Sequence, residues 1–244
     1  PHFFRAPLDN DKGFGNWIAK DWKNNRLDSP ETATVKPLDA KRNADGTVTV
    51  TTTQECRYAN GKITTDYVYT MDADGSVDFS ATYTPEGQLP PLPCIGNTFL
   101  MDKDMTRLSW YGQGLQDSYV DRLEATGIGR WTSSVDQEYV HYPRPQSSGN
   151  HEQTVTLSLT DAKGRGYTVT TANATPIAFS ALPYSKHQLS TVAHDCDLHT
   201  ENNVFLNIDA AMMGLGNSSC GPGVLTKYSI PQKQHSLHVM FKRK

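Results

Sequence analysis

The stretch Val77-Asp78-Phe79-Ser80-Ala81-Thr82-Tyr83 alternates apolar and polar residues along its whole length. Successive side chains of a β-strand point to opposite faces, so this spacing gives one apolar face and one polar face. Sheets that are buried on one side and solvated on the other are typical of antiparallel β-proteins. The stretch therefore predicts a strand of an antiparallel sheet, with Val77, Phe79, Ala81 and Tyr83 toward the core.

The same period of two recurs along the chain, in Val48 and Val50 among threonines, in Tyr67, Tyr69 and Met71, in Val155, Leu157 and Leu159, and in Leu237, Val239 and Phe241. Clusters of Asn, Asp and Gly at 43–46, 60–61, 74–75 and 161–164 predict tight turns between these runs. Helical spacing is confined to one short stretch, residues 16–22. Short strands joined by tight turns predict an all-β sandwich rather than alternating strands and helices.

Two segments interrupt the pattern. Residues 85–93 are rich in proline, which cannot donate to a strand ladder, and they predict a connector between sheets. Residues 113–145 are rich in Gly, Tyr and charge without alternation, and an ordered loop of that length is usually functional. There is no internal repeat, so residues 1–244 are expected to form a single β-sandwich domain.

Composition narrows the classes of function. The 244 residues are 36% hydrophobic and 20% charged, with a formal net charge of -3, as in ordinary soluble globular proteins. No sustained run of Lys or Arg supports nucleic-acid binding, and no apolar stretch reaches the roughly 18 residues that a membrane-spanning helix needs. We expect a soluble protein, of cytoplasm or periplasm. Because the chain starts at Pro1 without a signal-like segment, we also expect a piece of a larger protein.

The four cysteines form no C-x-x-C pair, which argues against a zinc knuckle or a redox motif. We therefore expect Cys56, Cys94, Cys196 and Cys220 to be buried free thiols. The stretch His194-Asp195-Cys196-Asp197-Leu198-His199 contains residue types that bind metals. If the stretch is extended, its two histidines point to opposite faces, so we expect no metal site in this chain.

The run Phe3-Phe4-Arg5-Ala6-Pro7-Leu8-Asp9-Asn10-Asp11-Lys12-Gly13 predicts a turn near the start of the chain. Asp9, Asn10 and Asp11 can bond back onto their own backbone, as Asx residues do in turns. Arg5 is placed to anchor the turn through charge-assisted bonds to the carboxylates. On these residues alone, the run is a structural corner rather than a site.

Further motifs follow in a fixed order. Residues 108–122 read LSWYGQGLQDSYVDR, residues 142–150 read YPRPQSSGN, residues 206–209 read LNID, and residues 212–216 read MMGLG. Together with the opening run, these motifs resemble the C-terminal domain, or small chain, of lacZ-type β-galactosidases in glycoside hydrolase family two. The resemblance covers nearly the whole chain.

The resemblance implies a large antiparallel β-supersandwich similar to galactose mutarotase. It implies a parent enzyme that hydrolyses β-galactosides with retention, using one carboxylic acid and one nucleophilic carboxylate. In the family both glutamates lie on a TIM-barrel domain outside this chain, as do the Mg²⁺ and Na⁺ sites. The implied partners are the remaining domains of the parent glycosidase, with a β-galactoside at the domain interface. No catalytic residue and no cofactor is expected here.

The resemblance also implies which residues border the substrate. A mobile loop carries over onto residues 114–123, with Gly114 as a hinge and Asp117, Tyr119, Asp121 and Arg122 within it. A rigid loop packed by Tyr119 is the alternative, and an exposed Asp121–Arg122 pair would contribute only about 0 to 1 kcal/mol. The substrate rim carries over onto Ser219 and Cys220. Cys220 stands where family members have a tryptophan that stacks on the glucose of lactose.

Two other functions remain open. An autonomous aldose 1-epimerase shares the implied fold and uses a His and a carboxylate, although fold alone does not license function. A free carbohydrate-binding module would need an aromatic platform. Its candidates are Trp110, Tyr111, Tyr119, Trp131 and Tyr139.

Overall fold

The computed structural model describes residues 1–13 and 18–244. In these residues, thirteen strands form two antiparallel sheets. The strands are β1 (Glu31–Arg42), β2 (Val48–Tyr58), β3 (Gly61–Met71), β4 (Val77–Gly87), β5 (Cys94–Asp102), β6 (Arg107–Gly114), β7 (Gly127–Ser134), β8 (His151–Thr154), β9 (Thr156–Thr160), β10 (Gly166–Thr171), β11 (Ile177–Leu182), β12 (Asn203–Met212) and β13 (His235–Arg243). The order is β1-β2-β3-β4-β13-β10-β9-β6-β7 in the large sheet and β5-β12-β11-β8 in the small sheet.

This architecture confirms the predicted all-β class with antiparallel pairing. The stretch Val77 to Tyr83 lies in β4, between β3 and β13. The predicted turns at 43–46, 60–61, 74–75 and 161–164 join β1 to β2, β2 to β3, β3 to β4 and β9 to β10. Gly46, Gly75 and Gly164 have φ of 92°, 84° and 79° in these turns, a left-handed conformation that glycine adopts without cost. The likeness to galactose mutarotase stays a prediction.

The core lies between the two sheets. The alternating residues Phe79, Leu157 and Val239 of the large sheet are buried together with Phe179 and Ile208 of the small sheet. Phe79 of β4 meets Phe99 of β5 edge to face, with ring centroids 5.3 Å apart. Such aromatic contacts add to the free energy gained from apolar burial, and they fix the distance between the sheets.

Among the described residues, two short α-helices flank the sheets, where the sequence predicted one. Helix α1 (Ile18–Asn24) buries Trp22 completely, as expected from the spacing of Ile18 and Trp22, while residues 16 and 17 of the predicted helix lie outside the described residues. Helix α2 (Lys186–Thr191) was missed. It has a single buried residue, Leu189, so it carries little apolar periodicity. Its signal was the N-cap, because Ser185 accepts the amide of Gln188 at 3.2 Å.

Neither predicted loop is as long as expected. The first begins later, because β4 continues through Pro85 to Gly87. Strand β13 pairs with β4 only as far as Tyr83, so Pro85 has a strand neighbour on one side, where its missing N–H is tolerated. The second contains β7, which forms the edge of the large sheet beside β6. The half-buried face of this edge strand carries Gly129 and Ser133 beside Trp131, and Ile128 lies on the exposed face, so its sequence GIGRWTSS shows no apolar alternation.

Neither α1 nor α2, the α-helices of the described residues, is long or apolar enough to cross a membrane.

Candidate functional site

Three segments that are far apart in the sequence meet at one end of the sandwich. They are the opening run 3–13, the loop 114–123 after β6, and residues 214–220 after β12, which we call the rim segment. The backbone of the rim segment is held by side chains of the other two. The motifs that carry the family resemblance are therefore neighbours in space.

Arg5 and Asp11 form the base of this site. Both are buried, and the guanidinium donates to the carboxylate through Nη2 at 2.8 Å and through Nε at 3.2 Å. Arg5 Nη1 also donates to the carbonyl of Met213 at 2.9 Å, and Nη2 to that of Gly214 at 3.3 Å. Asp11 accepts the amide of Leu8 at 2.9 Å, which closes the predicted turn. A buried charge needs this degree of pairing.

Asn10 faces the rim segment rather than its own turn. Its Nδ2 donates to the carbonyl of Gly216 at 2.7 Å. Its Oδ1 accepts the amide of Ser219 at 3.3 Å and the hydroxyl of Ser219 at 2.5 Å. Asp9 points elsewhere, since its backbone amide and its carboxylate both bond to the side-chain amide of Gln146. The opening run therefore forms a turn and also holds the backbone of the rim segment through Asn10.

Asp121 and Arg122 hold the rim segment from the other side. The Asp121 carboxylate accepts the amides of Leu215, at 3.0 Å, and Gly216, at 2.8 Å. Arg122 Nη2 donates to the carbonyl of Gly216 at 2.7 Å and to Oδ1 of Asn217 at 2.8 Å. The two side chains also approach each other, at 3.5 Å, but Asp121 is only 6% exposed. The pair is therefore not the solvent-exposed ion pair that the sequence predicted.

The rest of the loop is anchored to the body of the protein. Tyr119 is buried, with the Arg5 guanidinium 5.8 Å from its ring centroid. Asp117 Oδ2 accepts the amide of Gly149 at 2.9 Å, and burial raises the pKa of this carboxyl to about 6. A Cβ on Gly114 would lie 2.7 Å from the Trp131 ring, so close packing requires glycine at this position. The hinge remains a prediction.

Ser219 and Cys220 end the rim segment. Ser219 is half-buried against Asn10, whereas Cys220 is exposed and donates its amide to the carbonyl of Asn217 at 3.1 Å. The expectation of buried thiols holds for Cys56 and Cys94 and is wrong for Cys196 and Cys220. Both exposed cysteines lie in turns outside the strands, where no apolar alternation marked them as core residues.

The sequence missed a buried acid–base group beside the loop. His151 Nε2 lies 2.5 Å from Oε2 of Glu138, and both side chains are buried. The ring centroid of Trp110 is 4.2 Å from that of the His151 imidazole. The neighbouring Glu152 accepts from Nδ2 of Asn150 at 3.2 Å. Burial raises the pKa of Glu152 to about 8. The only sequence signal was the polar run at 150–153 within a β-protein.

The aromatic side chains that a carbohydrate-binding module would need as a platform are not assembled into one. Trp110, Tyr119 and Tyr139 are buried, and Trp131 is half-buried. Tyr111 is exposed, but the Arg130 guanidinium covers it at 5.5 Å. Rings buried in the core have no face to offer a sugar.

The stretch from His194 to His199 does not form the extended segment considered from the sequence. Residues Asp195–Asp197 form a single 3-10 turn. The Asp195 carboxylate accepts the hydroxyl of Tyr139 at 2.9 Å and contacts Nδ1 of His141 at 2.8 Å. These partners occupy the carboxylate, and the stretch is held by hydrogen bonds.

The amino-acid sequence can also be compared with those of known proteins. The family model of the β-galactosidase small chain matches residues 1–241. The β-galactosidase BgaC of Bifidobacterium adolescentis is 34% identical over 186 residues, which cover 74% of this chain and 17% of that protein. The β-galactosidase of Streptococcus thermophilus is 31% identical over 215 residues, 88% of this chain and 20% of its own length. That of Photobacterium profundum is 28% identical over 253 residues, 99% and 23% respectively.

The chain therefore spans about a fifth of the length of these relatives. The motifs that meet at the rim segment all lie within the matched residues 1–241. With a match of this extent, the chain belongs to the β-galactosidase small-chain family.

Proposed function

We propose that this chain is the non-catalytic C-terminal part of a retaining β-galactosidase, and that it completes the leaving-group side of the active site. The catalytic acid and the nucleophile, with the Mg²⁺ and Na⁺ sites, lie on other domains of the enzyme. Family membership and the fraction of the relatives that the chain spans support this proposal.

The observation that carries the proposal is the double clamp on the rim segment. Asn10 and Asp121 bond its backbone from two sides, at Gly216. A segment that presents side chains to a ligand gains from a rigid backbone, because less entropy is lost on binding. The clamp therefore positions Ser219 and Cys220.

Two buried glutamates near the loop 114–123, Glu138 and Glu152, support a non-catalytic role. Retaining glycosidases place two carboxyl groups about 5 to 5.5 Å apart across an open sugar site. Glu138 and Glu152 are buried and bonded to His151 and Asn150. Neither is free to attack a sugar or to protonate its leaving group.

The test is to assay the 244-residue chain alone with a chromogenic β-galactoside and to follow the mutarotation of α-galactose in its presence. We expect no hydrolysis and no catalysed mutarotation. Hydrolysis by the chain alone would overturn the proposal, and catalysed mutarotation would identify an aldose 1-epimerase instead. Saturable binding of galactosides without turnover would favour a free carbohydrate-binding module.

A further inference from the structure

Three potential metal ligands lie close together in the small sheet, near the first residues of β5. A ring nitrogen of His2, the sulfur of Cys94 and a carboxylate oxygen of Asp209 all lie within 4.8 Å of one another. Backbone pairing brings them together, because His2 forms an antiparallel bridge with Gly96 and Gly96 is the register partner of Asp209. His2 Nε2 is 2.5 Å from Oδ1 of Asp209.

The cluster has an unsatisfied acceptor. Cys94 is 0% exposed and Asp209 is 1% exposed, yet Oδ2 of Asp209 has no hydrogen-bond partner among the described residues. A buried carboxylate oxygen without a partner is costly. This oxygen belongs to a side chain that already faces an imidazole and a thiol, so a bound cation would satisfy it.

We propose that His2, Cys94 and Asp209 bind a divalent cation of the zinc class. Imidazole nitrogen, thiolate sulfur and carboxylate oxygen are the donors that zinc takes, at about 2.0 to 2.3 Å. On binding, the Cys94 thiol releases its proton to solvent, and the thiolate and carboxylate together balance the two positive charges. A water molecule can complete a tetrahedral set, and no redox step is involved.

The surroundings of His2 suit this role. Thr98 Oγ1 donates to Oδ1 of Asn207 at 2.7 Å and lies 3.1 Å from His2 Nδ1. Without a metal, Nε2–H donates to Oδ1 of Asp209, since a carboxylate only accepts, and Nδ1 accepts from the Lys186 ammonium. When a cation replaces Lys186, the ring proton can move to Nδ1 and be accepted by Thr98 Oγ1, which frees the Nε2 lone pair for the metal, the usual arrangement for a ligating histidine.

The ammonium group of Lys186 competes with a metal ion for the imidazole of His2. This group contacts His2 Nδ1 and lies 3.3 Å from Nε2. Without a metal, this cation offsets the buried charge of Asp209. The side chain is half-buried and lines a cavity with His2, Cys56 and Tyr58. Lys186 can therefore swing outward when a cation enters, and that cavity is the entry path.

The test uses Co²⁺ as a spectroscopic substitute for Zn²⁺ on the 244-residue chain, followed by competition with Zn²⁺. Wild type is expected to give a thiolate-to-cobalt charge-transfer band that Zn²⁺ abolishes. Cys94→Ser is expected to lose the band and to bind Zn²⁺ more than about tenfold more weakly. Cys56→Ser is the matched control, because Cys56 is also buried and lines the same cavity; it should retain the band.

A second variant separates metal binding from folding. Lys186→Gln removes the competing ammonium and leaves the three ligands in place, so Zn²⁺ should bind more tightly than to wild type by about tenfold or more. A charge-transfer band that survives in Cys94→Ser, or no band in both wild type and Lys186→Gln, would overturn the proposal. The cluster would then be an internal ion pair of Asp209 with Lys186, with His2 between them.

Discussion

The carboxylate of Asp121 accepts the backbone amide of Gly216 at 2.8 Å, across 95 positions of the chain. Asp121 lies in the loop 114–123 and Gly216 in the rim segment, so the two segments that border the proposed substrate site share a charge-assisted bond. Hydrogen bonds to an ionised group are about twice as strong as neutral ones. The loop and the rim segment should therefore move together rather than independently.

Replacing Asp121 by Asn tests this coupling. The amide retains one acceptor, and its NH₂ group then faces a backbone N–H of Leu215 or Gly216, which it cannot bond. We expect the free energy of unfolding to fall by about 1 to 3 kcal/mol, measured by urea denaturation. Hydrogen exchange of the rim-segment amides should quicken. Asp136→Asn, at an exposed position, is the control, and equal effects of the two variants would refute the coupling.

The buried pair of Arg5 and Asp11 should be the most sensitive point of the opening run. Asp11→Asn leaves the guanidinium buried without its counter-charge, so the free energy of unfolding should drop by about 3 to 5 kcal/mol. The double variant Arg5→Met with Asp11→Asn should lose less than the sum of the single losses, because no unpaired charge remains. Lys12→Ala, at the exposed neighbouring position, should be neutral in urea denaturation. If the losses of unfolding free energy in the two single variants add up to that of the double variant, the broken Arg5–Asp11 ion pair is not the cause of the destabilisation.

Adding a methyl group at Gly13 tests how closely the opening run packs against the rim segment. A Cβ at this position would lie 2.0 Å from the carbonyl oxygen of Ser218, whereas a Cβ at Gly127 meets nothing within 4 Å. Gly13→Ala must therefore displace the rim backbone, at a cost of about 1 to 3 kcal/mol. Gly127→Ala should change the stability by less than about 0.5 kcal/mol. Both are measured by urea denaturation, and a neutral Gly13→Ala would contradict the packing described here.

Cys220→Trp tests the proposed function in the complete β-galactosidase that carries this chain. An indole ring at this exposed position offers a face that a thiol lacks, and stacking contributes about 0.5 to 1.5 kcal/mol. The KM for lactose should therefore fall about 2- to 10-fold, with little change for an aryl galactoside. Cys196→Trp, at the other exposed cysteine, is the control. Unchanged selectivity would argue against a rim role for Cys220.

The sequence was most informative where burial is one-sided. The alternation at Val77 to Tyr83 predicted β4 because its apolar face meets the core. The sequence did not predict the edge strands β1 and β7, because β1 is exposed on both faces and the half-buried face of β7 carries Gly129 and Ser133 beside Trp131. Periodicity reports burial rather than strand geometry itself, so an exposed strand leaves little trace.

The candidate site was predictable as a set of residues but not as a set of contacts. The family motifs pointed to Asn10, Asp121 and Arg122, yet local turn chemistry assigned Asn10 to its own backbone. Its partner Gly216 is 206 positions away, and His2 and Asp209 are 207 apart. Such pairings depend on how the sheets bring distant loops together, and a single sequence does not contain that information.

The pH dependence of stability should report Glu152. Its carboxyl is 7% exposed, and burial raises its pKa from 4.5 to about 8. Between these values the folded protein keeps a proton that the unfolded chain releases, so this group lowers stability as pH rises from about 4.5 to 8 and has no further effect beyond. Glu152→Gln removes the penalty. Its stability relative to wild type should grow by up to roughly 1.4 kcal/mol per pH unit across that window, measured by urea denaturation at several pH values. The exposed Glu124→Gln should show no such trend, and a constant difference for Glu152→Gln would mean that the carboxyl is ionised in the folded protein.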